Sequence, residues 1–245
     1  MANLVRRAFN RAKVSVKNTF WRGFIARRIR DYRRMDRSSY LGGYDEKVDP
    51  ENVYYTNSGL RKYNENFGVN FAEIARRLGS KQERIRVLDI GAGQGLFGLQ
   101  LQKALGPRQV ELHAIGFTRP FHKHQGEWQV TGKELKKEAK EPWKQFASFH
   151  VGDFNMKGEK KLEDESFDLV VSHSSVTLNY QSLMKIAKKL RQGGEAYVQM
   201  IVGKGLVHQA TMRTLEEKGF RVEVLKSFLG ESGKNIGFLK LVRKS

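Results

Sequence analysis

Four glycines in the stretch VLDIGAGQGLFG, Val87 to Gly98, have the spacing of a ligand-binding loop. Gly91, Gly93 and Gly95 make the pattern G-x-G-x-G. Gly93, Gly95 and Gly98 of the same stretch make G-x-G-x-x-G, the dinucleotide fingerprint. Both patterns bring the backbone close to a ligand, because glycine has no side chain and tolerates positive φ. The choice between the two patterns therefore decides which cofactor the loop is suited to hold.

The residues before the glycines distinguish the two patterns. Arg86 to Ile90, RVLDI, predicts a strand that ends where Gly91 begins, whereas the dinucleotide pattern requires the strand to continue through Gly91 and Ala92. The G-x-G-x-G pattern uses every glycine of the loop and lets a helix begin at Phe97. It also leaves Asp89 at the carboxyl end of the strand, where a carboxylate suits an ammonium group. S-adenosylmethionine (SAM) has such a group and a nicotinamide dinucleotide does not, so the residues favour SAM.

The elements that hold this loop alternate between helix and strand. Apolar residues at helical spacing predict a helix from Ser58 to Leu78, which Gly79 ends. The alternation that follows predicts an α/β fold with a doubly wound, mostly parallel seven-stranded sheet covered on both faces. Only FLGESGKN separates the last two strands, so we expect a hairpin with an antiparallel final strand. The predicted strands are Arg86–Ile90, Glu111–Gly116, Ser148–Gly152, Phe167–His173, Gly194–Met200, Arg221–Ser227 and Gly237–Arg243, and the predicted helices are Phe97–Leu105, Thr131–Phe146, Tyr180–Leu190 and His208–Lys218.

Three further motifs follow the glycine loop in a fixed order. They are VGDF from Val151 to Phe154, ESFDLVVSHSSV from Glu165 to Val176, and LRQGGEAYV from Leu190 to Val198. With VLDIGAGQG, they make the chain from about residue 53 to residue 244 resemble the class I SAM-dependent methyltransferase family. The resemblance implies that family's Rossmann-like sheet and its SAM pocket. The implied cofactor-binding residues are Asp89, Gly91, Ala92, Gly93, Gly95, Thr118, Asp153, Phe154 and Ser172, of which Asp89, Gly91 and Gly93 line the methionine end and Asp153 and Phe154 lie near the adenine.

The chain departs from the family at the end of the second strand. The family places Asp or Glu there to bind the ribose hydroxyls, and HAIGFTRP places Thr118 there instead. A hydroxyl gives one neutral contact where a carboxylate gives charge-assisted ones, so we expect weaker ribose binding. Arg119 comes next, and an arginine at this position suits the 2′-phosphate of NADP, which keeps an NADP site as the rival interpretation.

The catalytic signatures of several methyltransferase groups are absent. After the fourth strand the chain has Ser172, His173, Ser174 and Ser175 instead of the Asn/Asp-Pro-Pro-aromatic signature of amine methylation, and the Lys-Asp-Lys-Glu tetrad of ribose methylation is missing. The chain has no cysteine, which excludes a thiolate nucleophile, disulfides and thiolate metal sites. His173 is then the candidate catalytic base at the reaction edge, and a hydrogen-bonded scaffold role is its alternative.

The insert after the second strand interleaves lysines with aromatic residues. His122 and His124 form an H-x-H pair in it, but no third ligand accompanies them, so we expect a solvated loop and no metal site. Phe121 and Trp128 beside them suit base stacking, or a surface helix that packs its aromatic side chains.

The composition is strongly basic. The 245 residues include 45 Lys and Arg against 26 Asp and Glu, a formal charge of +19, and this excess favours a polyanionic partner such as RNA or an anionic membrane surface. Residues 1–37 alone carry a net +10. No apolar run approaches the roughly 18 residues of a membrane span, so we expect no transmembrane segment.

The arm of residues 1–37 has aromatic and aliphatic residues at helical spacing with arginines between them, which predicts a basic amphipathic helix. Three interpretations remain open: an RNA-binding arm, a mitochondrial transit segment, and a membrane-surface helix. Residues 38–57 are rich in Gly, Ser, Asp and Asn and predict a linker, which leaves residues 58–245 as the methyltransferase-like domain.

Three functions follow as hypotheses. The first is a SAM-dependent methyltransferase acting on RNA or an RNA–protein particle, such as ribosomal RNA or a ribosome in assembly, with RNA held by the arm. The second is an inactive methyltransferase-like factor for RNA binding or assembly. The third is a small-molecule methyltransferase whose arm serves targeting or membrane contact. For all three functions we expect an intracellular location, in the cytoplasm or in the mitochondrial matrix.

Overall fold

The structure is a computed structural model and describes residues 59–80, 84–116, 121–130, 135, 138–151, 154, 162–173, 180–201, 206–229 and 235–244. The predicted arm, the linker, Thr118 and Asp153 lie outside these residues. In chain order the elements are α1 (Leu60–Phe67), α2 (Phe71–Gly79), β1 (Ile85–Ile90), α3 (Leu96–Leu105), β2 (Val110–Gly116), β3 (Phe121–His124), β4 (Glu127–Val130), a 3₁₀ turn (Pro142–Lys144), β5 (Phe146–Val151), β6 (Phe167–Ser172), α4 (Tyr180–Lys189), β7 (Leu190–Ile201), α5 (Leu206–Glu217), β8 (Phe220–Leu229) and β9 (Asn235–Arg243).

Seven strands form one sheet in the order β5-β2-β1-β6-β7-β9-β8. The strands β5, β2, β1, β6 and β7 are parallel to one another, and β1 and β6 are buried along nearly their whole length. Burial on both faces explains why these strands are rich in apolar residues and contain runs such as LVV in β6. The predicted α/β fold with a mostly parallel seven-stranded sheet is confirmed.

The chain reverses its direction of travel across the sheet between β1 and β6. From β1 it proceeds outward through β2 to β5, and it then returns to β6 on the other side of β1. Open α/β sheets bind ligands at the carboxyl ends of the strands on either side of such a switch point. The glycine loop leaves β1 at this place.

Helices cover both faces of the sheet, and each face has its own apolar cluster. The cluster under α1, α2 and α3 includes Tyr63, Phe67, Phe71 and Phe97. The cluster on the other face receives Leu183 and other side chains of α4 and α5. Two covered faces are what the doubly wound arrangement requires.

The predicted antiparallel final strand is confirmed. β9 pairs antiparallel with β8 and also with β7, so it lies between the two strands that precede it in the chain.

Two helix predictions were wrong. The stretch from Ser58 to Leu78 is not one helix, because Gly68 adopts a left-handed φ of 67° that ends α1, and Asn70 caps a new helix by accepting hydrogen bonds from the N–H groups of Ala72 and Glu73. The predicted helix from Thr131 to Phe146 does not extend to its expected end, because Pro142–Lys144 is a 3₁₀ turn and strand β5 begins at Phe146.

The segment around His122 and His124 is a two-stranded hairpin of β3 and β4 and not the loop that we expected. The two residues between the strands, Gln125 and Gly126, have φ values of 47° and 87°. Positive φ at both central residues is the geometry of a tight turn between antiparallel strands. In this hairpin His122 pairs with Gln129 and His124 with Glu127.

Candidate cofactor site at the carboxyl edge of the sheet

The glycine loop follows directly on β1 and adopts the conformation that the G-x-G-x-G pattern predicts. Gly91, Gly93 and Gly95 have φ values of 76°, 54° and 79°, in the region that favours glycine. The N–H groups of Gly91 and Ala92 donate to the carbonyl of Ile115 at 2.8 and 3.2 Å, which fixes the loop to the end of β2. The strand ends at Ile90 and the helix begins at Leu96, so the loop spans the residues between them.

Gly95 is required by packing as well as by its backbone conformation. A Cβ at Gly95 would lie 2.7 Å from Cζ of Phe146, the first residue of β5. A Cβ at Gly98 would lie 3.3 Å from the side chain of Leu112. These two glycines therefore let α3 approach the sheet, which is a structural use beside any contact with a ligand.

Asp89 is a buried carboxyl at the carboxyl end of β1, with 3% of its surface exposed. The hydroxyl of Tyr63 donates to its Oδ1 at 3.1 Å, while its Oδ2 has no hydrogen-bond partner among the described residues. Burial raises the pKa of Asp89 to about 7, and the hydrogen bond from Tyr63 acts in the opposite direction. A ligand cation at Oδ2 would satisfy the buried oxygen and restore its charge.

Helix α1 brings Tyr63 to Asp89 because α3 anchors it. The N–H of Leu60 donates to Oε1 of Gln100 at 2.8 Å, and the ring of Tyr63 stacks on Phe97 with centroids 4.2 Å apart. Both anchors belong to the helix that leaves the glycine loop. Residues before the first strand are thus part of the site.

His173 follows β6 and lies against the same helix. Nδ2 of Asn66 donates to Nε2 of His173 at 2.5 Å, and the rings of Tyr63 and His173 are 5.0 Å apart. Burial, and then the charges of Lys62 and Lys226, lower the pKa of His173 to about 4. The imidazole is therefore neutral near pH 7, and Asn66 occupies its Nε2 lone pair.

The other predicted cofactor residues have different surroundings. Ser172 is fully buried and its hydroxyl donates to the carbonyl of Ile90 at 2.9 Å, which joins β6 to β1 below the loop. Phe154 is buried in the apolar cluster of α4 and α5, beside Ile90 and Ile115. Ala92 packs in the cluster of the opposite face. Their roles toward a cofactor stay predictions, as does that of His173.

Sequence reasoning missed three residues of this edge. The apolar spacing places Tyr63 in the helix predicted from Ser58 to Leu78 without indicating a role in the site, and it gives no indication for Asn66, one turn further along α1. Gln94 lies in the loop with 8% of its surface exposed, and its Oε1 is buried without a partner among the described residues. A polar atom on an otherwise apolar helix face was the available signal for Tyr63 and Asn66.

The arrangement can hold a cationic ligand group at Asp89 beside a backbone loop that approaches the ligand closely. Among the described residues, no three His, Asp or Glu side chains are grouped as metal ligands. The described helices include none that is long and apolar enough to cross a membrane.

No family model matches the chain, and no curated protein matches it. Among solved structures, it is similar to the CurJ carbon methyltransferase, with 17% identity, 66% of this chain covered and a TM-score of 0.41, where it spans about half (49%) of that chain. It is similar to a TehB-like SAM-dependent methyltransferase from Corynebacterium glutamicum, with 20% identity, coverage of 76% and 94%, and a TM-score of 0.40. It is also similar to the O-methyltransferase TomG from Streptomyces achromogenes, in complex with SAM, with 16% identity, coverage of 86% and 95%, and a TM-score of 0.46.

The fold assignment rests on the sheet itself. The strand order, the single antiparallel strand between β7 and β8, and the left-handed glycines after β1 agree with what the four sequence motifs imply. The chain has the Rossmann-like α/β fold of the class I SAM-dependent methyltransferases that its motifs resemble.

Proposed function

We propose that the protein is a SAM-dependent methyltransferase. One observation carries the proposal: within the described part of the chain, the buried Oδ2 of Asp89 has no hydrogen-bond donor, and it lies at the carboxyl end of β1, immediately before three left-handed glycines. An ammonium group supplies both the donors and the positive charge that this carboxyl lacks. The residues present therefore fit the amino-acid end of SAM.

Asp89 would hold the ammonium group, and the backbone from Gly91 to Gly95 would lie along the ligand. Tyr63 keeps Oδ1 of Asp89 occupied and so directs Oδ2 toward the ligand. When bound, SAM supplies a methyl group on a sulfonium centre, which an acceptor nitrogen or oxygen attacks. A neutral His173 can take the proton that the acceptor loses and pass it to solvent.

Proton transfer to His173 has a structural condition. Because Asn66 donates to Nε2, that atom accepts a proton only after Asn66 turns away. The same contact favours a second candidate function, in which His173 is a scaffold residue and the protein binds its ligands without turnover. The two functions differ in whether a radiolabelled methyl group is transferred.

We propose further that the protein acts on RNA or an RNA–protein particle through the arm of residues 1–37. The net charge of +10 in the arm supports this, because lysines and arginines that neutralise phosphates release counterions. Deleting the arm should lower the slope of log K against log salt by roughly 3 to 5 units if about five phosphate contacts are lost. An unchanged slope would make the arm a targeting or membrane-surface segment.

The cofactor proposal is tested by titrating SAM in a calorimeter. Wild-type protein should bind SAM in the micromolar range, and Gly93→Val should abolish binding because it puts a branched side chain where φ is positive and the ligand passes. Gly126→Val is the matched control, since Gly126 also has positive φ but lies in the turn between β3 and β4. Saturable NADPH binding that SAM does not displace would contradict the proposal.

A further inference from the structure

Two lysines, Lys62 and Lys226, belong to elements packed around His173, and their charges act on its imidazole. Lys62 is one helical turn before Asn66 on α1, so their side chains leave the same face of the helix. Lys226 on β8 places its Nζ 3.4 Å from the carbonyl oxygen of Glu65. Glu65 precedes Asn66, whose amide contacts His173. The ammonium group of Lys226 therefore lies at the segment of α1 that contacts the imidazole, and Lys62 belongs to the preceding turn of the same helix.

The charges of these lysines are only partly offset within the described part of the chain, since Lys62 acts on the Glu65 carboxylate and lowers its pKa. Neither lysine forms an ion pair with a described carboxylate, and Glu65 pairs instead with Arg61 at 2.7 Å. The two positive charges contribute to the lowered pKa of His173, so their field reaches the imidazole. An anionic group placed between the lysines would be attracted there.

An exposed aromatic ring continues the same edge. Phe228 is 48% exposed and stacks on Phe238 with ring centroids 6.1 Å apart. Phe238 packs edge-on against Phe67 at 5.0 Å, and Phe67 lies 6.3 Å from the ring of His173. A continuous row of rings thus leads from His173 to Phe228. Its last ring is partly open to solvent and can stack with a planar ligand.

The strand register places these groups at one edge of the sheet. Ile236 of β9 pairs with Phe228 on one side and with Ile201, at the end of β7, on the other. The carboxyl end of β8 therefore lies at the edge where the glycine loop and His173 are found. The pairing of β8 with β9 is irregular between Val224 and Lys226, and such bulges re-aim side chains.

We propose that Lys62, Lys226 and Phe228 form the acceptor site for a nucleotide of single-stranded RNA, with a phosphate between the lysines and a base stacked on Phe228. A nucleotide combines a negative charge and a planar ring in one unit, and this edge offers a partner to each. The inference rests on the proposed methyltransferase function and names its substrate class. His173 then lies beside the bound nucleotide.

The test measures binding of a fluorescein-labelled 12-nucleotide single-stranded RNA to the full chain by anisotropy across a salt series. Replacing both lysines, Lys62→Gln with Lys226→Gln, should weaken binding and lower the salt slope by about 0.7, the value for one lost phosphate contact on a single strand. Phe228→Ser should weaken binding roughly 5- to 150-fold, the range for one stacked base, and leave the slope unchanged.

Two control variants lie on the same strand. Arg221→Gln removes one positive charge at the opposite end of β8, where Arg221 pairs with Val242, and Val224→Ala trims an exposed side chain outside the row of rings. Neither should change the affinity by more than about twofold. If the two controls weaken binding as much as the site variants do, RNA binds to general surface charge and the proposed acceptor site is wrong.

Calorimetry with SAM separates this inference from the proposed function. All five substitutions should leave SAM affinity unchanged, because none touches Asp89 or the glycine loop. If wild-type protein fails to bind SAM, the proposed function is wrong. If the lysine and Phe228 variants leave the RNA affinity and the salt slope unchanged, the acceptor site is wrong. Matching thermal melting curves show that the variants are folded, as expected for exposed positions.

Discussion

The hydroxyl of Tyr63 in α1 donates to Oδ1 of Asp89 at the end of β1, across 3.1 Å. The two residues are 2% and 3% exposed, so water does not compete for this bond. Burial raises the pKa of both groups, and that of Tyr63 is well above its ordinary value. Helix α1, which precedes the sheet in the chain, thus supplies the hydrogen bond to the carboxyl that we propose binds the cofactor.

Tyr63→Phe should weaken SAM binding while the protein stays folded. The variant leaves Asp89 with no donor at Oδ1, which favours its protonated form and lowers its attraction for a cation. We expect a loss of about 1 to 2 kcal/mol, or roughly 5- to 30-fold in Kd measured by calorimetry. Tyr197→Phe is the control, because it removes another buried hydroxyl, which donates to Glu195 at 2.9 Å. Equal losses of SAM affinity in both variants would mean that reduced stability, and not the lost hydrogen bond to Asp89, causes the effect.

SAM affinity should depend on pH through Asp89. With a pKa of about 7, Asp89 is mostly protonated at pH 5.5 and gains its charge as the pH rises. Affinity should therefore increase between pH 5.5 and 7, by at most about tenfold per pH unit, before the ligand's own amino group starts to lose its proton near pH 8. Asp89→Asn should bind SAM weakly and with no such increase; a rise preserved in this variant would point to another titrating group.

His173 should make the fold sensitive to acid. Its pKa is near 6.5 in the unfolded chain and about 4 in the folded protein, so the unfolded state binds more protons between these values. Its contribution to stability is complete above pH 6.5 and is lost as the pH falls toward 4, with a slope of up to about 1.4 kcal/mol per pH unit. In urea unfolding at pH 7, 5.5 and 4.5, the free energy of unfolding should decrease less with falling pH for His173→Gln than for wild type. An identical decrease would exclude His173 as its source.

Gly95→Ala should destabilise the protein more than a left-handed backbone alone explains. Alanine at φ 79° costs about 1 to 2 kcal/mol, and its Cβ would also meet Phe146 at 2.7 Å. Gly219→Ala has a similar φ of 83° but no atom within 4 Å, so it measures the backbone cost alone. We expect the free energy of unfolding to fall further for Gly95→Ala, by about 1 to 3 kcal/mol. Equal effects would mean that Phe146 moves aside freely.

The sequence predicted the sheet and the loop well because their signals are local. Burial on both faces makes most of β1 apolar, so RVLDI identified the strand to within one residue. Three closely spaced glycines likewise indicated a turn of positive φ, and all three adopt it. Fold and loop could be predicted because each depends on residues adjacent in the chain.

The remaining features depend on contacts between distant residues. The helix break at Gly68 and the turn at Gln125 and Gly126 depend on residues that adopt positive φ, and the spacing of apolar residues does not indicate them. Tyr63 and Asp89 are 26 positions apart, and Asn66 and His173 are 107 apart. Nothing in the neighbouring residues of either pair indicates its partner. The sequence therefore predicted candidate residues at the ends of the strands, such as Asp89 and His173, but not the α1 residues that contact them.

Completion of the sheet depends on its last strand, because β9 lies between β7 and β8. Among the described strands, β8 has no neighbour in the sheet except β9, so it stays unpaired during synthesis until Asn235 to Arg243 have emerged. Before then the backbone of β7 from Glu195 to Ile201 is an open edge that can pair with another chain. A stop codon before Asn235 would therefore leave β8 unpaired and β7 with one open edge, and we expect such a product to aggregate rather than to persist as a slightly shortened protein.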